Sequence, residues 1–381
     1  MNALFCPREI APGETRVALT PETAQKFKEA GFACVIETKA GELAGYVDGD
    51  YEDCGCEVSY DRLASLKCAN LVVGVHPLAD TDLSHANPGT FTISFLDPFR
   101  SYEKVNALAH AGIMAASLEL VPRSTYAQKM DALSSQASLA GYAAVLLAAD
   151  RLDKVLPMMM TPAGTLQPAR FLIIGVGVAG LQAIATAKRL GARVTAFDTR
   201  PVVEEQVKSL GAKFLKIDIG ETGQTEQGYA KELSLEQIAL QRKGMTKACS
   251  DADAIITTAQ VFGRPAPRIL TADMLAGMRQ GSVVIDMAVA TGGNVEGSEP
   301  DREVEVNGVK IIGAANLPAT LAHHASQALA NNIFNYLTHI WKPHTGPDLS
   351  GTDEITTSTV VTADGKIIHE RVLAAHAEKS A

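Results

Sequence analysis

The sequence predicts an α/β protein of two Rossmann-like domains with parallel sheets, its C-terminal helix and tail returning to the first domain. Three observations carry this. Short apolar runs alternate with amphipathic segments over the first 130 residues, the βαβα rhythm of a parallel sheet covered by helices. A second series begins near residue 171 with a strand, a glycine-rich turn and a helix. The segment beyond the last long helix is too small to fold alone. The expected domains are residues 1–133 with 319–381, and residues 134–318.

In the first domain the expected strands are Ala3 to Cys6, Ala33 to Glu37, Leu71 to Val75, Thr90 to Phe95 and Gly112 to Ala115. A helix is expected from Pro21 to Ala30, with Thr20 as cap and proline at its first position. Thr23 is neither Glu nor Gln, so no capping box is expected. Lys104 to Ala111 is a second helix, and Ser134 to about Leu156 a long one. The second domain continues with strands Phe171 to Ile174, Phe214 to Ile217, Ala254 to Thr257, Val283 to Asp286 and Lys310 to Ile312. Between Asp218 and Cys249 the first half is polar and glycine-rich and reads as a mobile surface loop, the second half as a helix. A helix from Pro318 to about His339 follows. In the tail, VVTADGKII resembles a hairpin around Asp364-Gly365.

Composition excludes several function classes. Net charge is −9, which disfavours nucleic acid, whose binding rests on Lys and Arg at phosphates. The N-terminus lacks the basic region and long apolar core of a secretory signal, and no apolar run of about 20 residues is expected to span a bilayer. A soluble cytoplasmic protein is the reading. The six cysteines include no C-x-x-C; Cys54 and Cys56 have no second pair, so reduced thiols and no metal are expected. His323 and His324 point about 100° apart on a helix and make no shared ligand face.

Residues 171–198, FLIIGVGVAGLQAIATAKRLGARVTAFD, carry the chemistry. Gly175 permits the tight turn, Gly177 lets the backbone approach a pyrophosphate, and Gly180 lets helix and strand pack closely. The helix N-terminus offers free N–H groups and a positive dipole. Asp198, 18 residues past Gly180, can accept hydrogen bonds from ribose hydroxyls and would repel a 2′-phosphate, favouring NAD(H) over NADP(H). Arg200 complicates this, since an arginine there can receive that phosphate. The expected cofactor contacts are Gly175, Gly177, Val178, Ala179, Gly180, Asp198, Thr199, Arg200 and Ala259.

Two further segments stand out. Arg16 precedes a helix start, where either an anion contact or a surface salt bridge suits it. In residues 121–142, Arg123, Gln128, Asp131 and Ser134 place polar side chains at spacings of five, three and three, with Asp131 and Ser134 on one helix face. This set suits either a clamp on a carboxamide and ribose or a capped helix start.

At this point the residues match a known family. PREIAPGETRVALTPE, PRSTYAQKMDALSSQASLAGY, GVGVAGLQAIATAKRLGA, FDTRP, GYAKEL, GRPAPRILT and GSVVIDMAVATGGN, in this order, resemble the NAD(H)-binding α subunit, domain I, of Re/Si-specific proton-translocating NAD(P)+ transhydrogenase. Alanine dehydrogenase shares the fold and is the rival. Where that family has lysine, histidine and aspartate, this chain has Gly74 to His76, Phe95 and Ala290. Phe95 and Ala290 supply no general acid or base for oxidative deamination. The resemblance implies that Arg123, Gln128, Asp131 and Ser134 position a nicotinamide and that Tyr229 sits on a mobile loop over it. It implies direct hydride transfer from NADH to NADP+ on a partner component, and a proton-conducting membrane component. It also implies a homodimer, peripheral on the cytoplasmic face through these partners. A protein that binds NAD(H) without turnover is the third reading.

Overall fold

Apolar runs form the strands, and helices cover their faces. The computed structural model describes residues 2–220, 222–223, 233–342, 346–349 and 353–380. It divides into two units, residues 1–136 with 319–381, and residues 137–318.

The first unit is built on an eight-stranded sheet. Its strands are β1 (Asn2–Cys6), β2 (Phe32–Glu37), β3 (Glu57–Ser59), β4 (Leu71–Val73), β5 (Phe91–Ser94) and β6 (Met114–Ser117), with β18 (Val360–Ala363) and β19 (Lys366–Ile367) from the tail. The order is β19-β18-β6-β5-β4-β1-β2-β3. β1 to β6 pair in parallel. β18 adds antiparallel to β6 with Val360 opposite Ala116, so the tail does return to the first unit. The β18–β19 turn has Asp364 and Gly365 at φ 51° and 74°, the left-handed pair that a two-residue hairpin turn requires.

The expected strand at Gly112 to Ala115 lies two residues further on. Gly112 has φ 72° and ends a turn, its N–H donating to Ala109 O and its carbonyl accepting from Gly89 N. The expected strand Phe214 to Ile217 reduces to Lys213–Phe214. Helix α1 (Pro21–Glu29) corrects a second expectation, because a capping box is present. Thr23 Oγ1 accepts from Thr20 N at 2.9 Å, so a threonine hydroxyl does the work normally given to Glu or Gln. The core joins Leu4, Ile36, Leu71, Val73, Phe91 and Ile93 to Phe27 and Tyr336. Each such buried side chain contributes about 1.5–3 kcal/mol.

Helix α2 (Ala132–Arg151) replaces the expected Ser134 to Leu156, and the unit boundary falls inside it. By length and hydropathy it is long and apolar enough to cross a membrane, against expectation; 44% of its apolar stretch is buried. Its leucines, valine and alanines raise its hydropathy, as they do in core helices of soluble proteins.

The second unit begins with an unexpected ribbon, β7 (Met159–Thr161) and β8 (Gly164–Leu166). Its main sheet holds β9 (Arg170–Ile174), β10 (Arg193–Phe197), β11 (Lys213–Phe214), β12 (Ala254–Thr257), β13 (Val283–Asp286), β14 (Glu303–Val306) and β15 (Val309–Gly313). The order β11-β10-β9-β12-β13-β15-β14 is parallel except at β14. Helix α3 (Val178–Arg189) follows β9, and helix α4 (Leu235–Asp251) precedes β12. Most of the expected mobile loop before α4 lies outside the described residues. The long helix of the tail, α5 (Ala322–Ile340), is preceded by a 3-10 turn, Leu317–Leu321, where the sequence suggested continuous helix. A short ribbon, β16 (Trp341–Lys342) with β17 (Gly346–Pro347), follows it.

Candidate functional site

The glycine-rich turn sits between β9 and α3, at the reversal of strand order where β9 lies between β10 and β12. Open α/β sheets bind ligands at such a point. Gly175 has φ 92°, and its N–H donates to Phe197 O at 2.9 Å. A Cβ at Gly175 would meet Thr258 Oγ1 at 2.6 Å, and one at Gly180 would meet Gly175 O at 2.0 Å. At Gly177 nothing lies within 4 Å of that position. Two glycines thus close the turn, and the third leaves its backbone open to a ligand. Val178 and Ala179 begin α3, whose first-turn N–H groups have no partner inside the helix. Gly141 of α2 makes this region tight from below, its Cβ position 2.1 Å from Ala179 O.

Asp198 follows β10, and its carboxylate binds four donors. Oδ2 accepts from Val176 N at 2.7 Å and Arg200 Nη2 at 2.8 Å. Oδ1 accepts from Arg200 N and Nε, both at 2.9 Å. Arg200 Nη2 also reaches Val176 O at 3.1 Å. The two side chains are 6% and 13% exposed, and the bond to Asp198 raises the Arg200 pKa. The structure therefore commits Arg200 to Asp198, tying the acid to the glycine turn. Thr199 O accepts from Thr222 Oγ1.

Ala259 is held by a group the sequence reading missed. Asn294, fully buried, accepts from Ala259 N at 3.1 Å and donates to Ala259 O at 2.8 Å. Asp286, also fully buried, accepts from Ala288 N and from the Asn294 and Val295 N–H groups. A carboxylate ending the apolar run VVID was the available signal, since a buried acid must be satisfied.

In the first unit, Arg123 and Gln128 are exposed, Gln128 within the 3-10 turn Ala127–Met130. Asp131 precedes α2 and caps it, which is the capped helix start the spacing allowed and replaces the shared helix face also expected for Asp131 and Ser134. Its Oδ1 accepts from Ser134 N at 2.9 Å and its Oδ2 from Ser134 Oγ at 2.6 Å. Tyr229 lies outside the described residues.

Arg16 is 6% exposed and bound on both sides. Its Nε and Nη2 donate to Glu14 at 2.8 and 2.7 Å, and Nη1 donates to Gln136 Oε1 at 2.9 Å. Burial pushes the Glu14 pKa up, but the bonds from Arg16 and His76 hold it well below the carboxylate range. The Glu14 bond at 2.9 Å raises His76 above its usual 6.5. A raised folded pKa stabilises fully below the unfolded value and loses that contribution as pH rises through the folded one. His76→Gln should therefore lower Tm more near pH 6 than near pH 9. An equal drop at both would remove His76 charge from the account.

Four of the six cysteines are buried, and all six are unpaired. Burial pushes Cys34 and Cys249 up to about 12, leaving them poor nucleophiles. His323 stacks on Tyr46 at 4.7 Å and meets Ala44 O at 3.0 Å.

Comparison with known proteins gives this geometry a family. The N-terminal domain model of alanine dehydrogenase/PNT matches residues 5–140 and the C-terminal domain model residues 144–370. The first-part polypeptide of the NAD(P) transhydrogenase alpha subunit from Rickettsia prowazekii is 41% identical over 366 residues, 95% of each chain. The chain belongs to the transhydrogenase α-subunit branch of the alanine dehydrogenase/PNT family. A crystal structure of transhydrogenase from Sinorhizobium meliloti matches with TM-score 0.85 and 40% identity, covering 97% of this chain and all of that one. An L-alanine dehydrogenase structure matches with TM-score 0.81 but 26% identity, over 99% of both chains. Backbone similarity separates the two branches little; sequence identity separates them clearly. The side chains agree. Phe95 packs on the first core and Ala290 carries a methyl group, so neither moves a proton. In the stretch Gly74 to His76, expected to stand where the other branch has its lysine, His76 is engaged by Glu14.

Proposed function

We propose that this chain is the NAD(H)-binding component of a proton-translocating transhydrogenase. It would pass hydride directly from NADH to NADP+ held on a partner component. The observation that carries the reading is the polar set Arg123, Gln128, Asp131 and Ser134 without an acid–base pair at Phe95 or Ala290. The dihydronicotinamide supplies the hydride itself: a C4–H bond breaks with its electron pair, and the same bond forms on the acceptor ring, leaving NAD+ and NADPH.

The residues then have to bind and orient. The α3 N-terminus with Gly175, Gly177 and Gly180 takes the pyrophosphate, and Gly177's open Cβ position suits that approach. Asp198 takes the adenosine ribose. Its pairing with Arg200 supports NAD(H) over NADP(H), because the cation is already neutralised. Gln128 and Ser134 orient the carboxamide and ribose, Asp131 binds ribose hydroxyls, Arg123 positions the ring, and Tyr229 closes over the nucleotide. The donor and acceptor rings are alike, so the rate depends on holding them at about 3–3.5 Å.

The deciding assay mixes the chain, NADH and a thio analogue of NADP+ with the NADP(H)-binding component of a related transhydrogenase. Reduction of the analogue that requires both proteins is the expected result. Bound NADH without reduction, or turnover of pyruvate with ammonium, would sink the proposal. Gln128→Asn should slow transfer on the order of 10–100-fold while NADH affinity changes little. Parallel losses would count against positioning.

The chain is further proposed to act as a homodimer, peripheral on the cytoplasmic membrane face through the NADP(H)-binding and proton-conducting components. The β7–β8 ribbon and the methionine before it support association, since Met158, Met159, Met160 and Leu166 are 60, 43, 83 and 45% exposed. A lone two-stranded ribbon is marginal in water, and such a patch marks an interaction surface. Sedimentation should give twice the 40.2 kDa chain mass, and Met160→Lys should shift it toward one. A monomeric unaltered chain would refute the dimer.

A further inference from the structure

Helix α5 carries Ala325, Asn332 and His339 at seven-residue spacing, which puts them on one face with a drift of about 20° per step. All three meet residues 126–136. Ala325 O accepts from Gln136 Nε2 at 3.0 Å. Asn332 Nδ2 donates to Lys129 O at 2.8 Å, and Asn332 Oδ1 accepts from Ser135 Oγ at 2.7 Å. His339 Nδ1 lies 3.2 Å from the Tyr126 hydroxyl, and its Nε2 lies 3.0 Å from Asp353 Oδ1.

Up to Asp131, just before α2 begins, the segment so held has little regular bonding of its own. It runs through a single 3-10 turn and breaks at Asp131, with φ −71° and ψ 84°. Asn332 spans that break, tied two residues before Asp131 and four residues after it. It is 8% exposed, so water does not replace a lost bond there. Arg16, fixed by Glu14, holds Gln136 at the far end.

We infer that Asn332 is a positioning residue for Gln128, Asp131 and Ser134, the central tie of a stripe on α5 that shapes this segment. This rests on the proposed hydride transfer. Asn332 touches no reacting atom; it acts through the backbone of Lys129 and the hydroxyl of Ser135. Arg16 then has the same purpose, as the support of the last tie.

The test uses the full chain with NADH, the NADP(H)-binding component and the thio analogue, in single turnover. Asn332→Ala should slow transfer on the order of 10–100-fold, with the NADH dissociation constant within about threefold. Ser135→Ala removes the hydroxyl tie together with the Ser135 Oγ bond to Ala132 O at 3.1 Å, leaves the tie to Lys129 in place, and serves if Asn332→Ala folds poorly. It should slow transfer less, and the double variant should fall short of the product of the two effects. Unchanged transfer per folded molecule in both variants, with only Tm lowered, would reduce Asn332 to packing and overturn the inference. A loss of rate matched by an equal loss of NADH affinity would also overturn it. An unaltered chain that binds NADH but transfers nothing would fail at the earlier step, overturning the function and the inference together.

Discussion

Gly177→Ala should weaken NADH binding at least about tenfold, roughly 1.4 kcal/mol, with a smaller loss of Tm than Gly180→Ala, since alanine is only a poorer N-cap for α3. Gly177 has φ −86° and nothing within 4 Å of its Cβ position, so alanine meets no part of the protein and occupies only the ligand's approach. Gly180→Ala should behave differently. Its methyl would fall 2.0 Å from Gly175 O, and a backbone oxygen in a hydrogen-bonded turn moves only by opening that turn. Overpacking of this kind costs about 1–3 kcal/mol or more, about 2–4 °C of Tm per kcal/mol in a domain of this size. NADH affinity should fall with it. Titration of NADH alongside thermal melts separates the two cases. An alanine at Gly177 that leaves affinity intact would remove the pyrophosphate from that turn.

Replacing Asp198 by Asn should shift nucleotide preference from NADH toward NADPH on the order of 10–100-fold. Two effects add. The carboxylate that would repel a 2′-phosphate is gone, and Arg200 loses the partner that binds it through both Nε and Nη2. Stability should fall too, since opening a mostly buried ion pair costs about 3–5 kcal/mol when one charge is left behind. Arg200→Ala, by contrast, should not improve NADPH binding, because the acid remains. The measurement is the ratio of the two dissociation constants for each variant. A ratio unmoved in Asp198→Asn would mean that discrimination lies elsewhere.

Both predictions stand on features with different legibility. The glycine turn was readable because its spacing, the preceding apolar strand and the following helix are all local. Asp198 was readable by its distance from that turn. Its four donors were not, because they depend on the path of the backbone from Phe197 to Arg200. The capping box of α1 escaped for a similar reason: a threonine at the third position reaches the cap only in the right rotamer. The β7–β8 ribbon escaped because MMMTPAGTL has no alternation of apolar and polar residues, and in the structure both its faces are exposed.

Taken by itself, the sequence determined the two parallel-sheet domains, the return of the tail, the nucleotide turn and the family, since each follows from short-range periodicity or ordered motifs. Only the tertiary structure decided what Arg16, Asn294 and Asn332 do. Arg16 and Gln136 are 120 residues apart, Ala259 and Asn294 are 35 apart, and Ser135 and Asn332 are 197 apart. A polar side chain read along the chain has many equivalent sets of partners; burial fixes one set, because an unsatisfied polar group in the interior costs more than the bond itself returns.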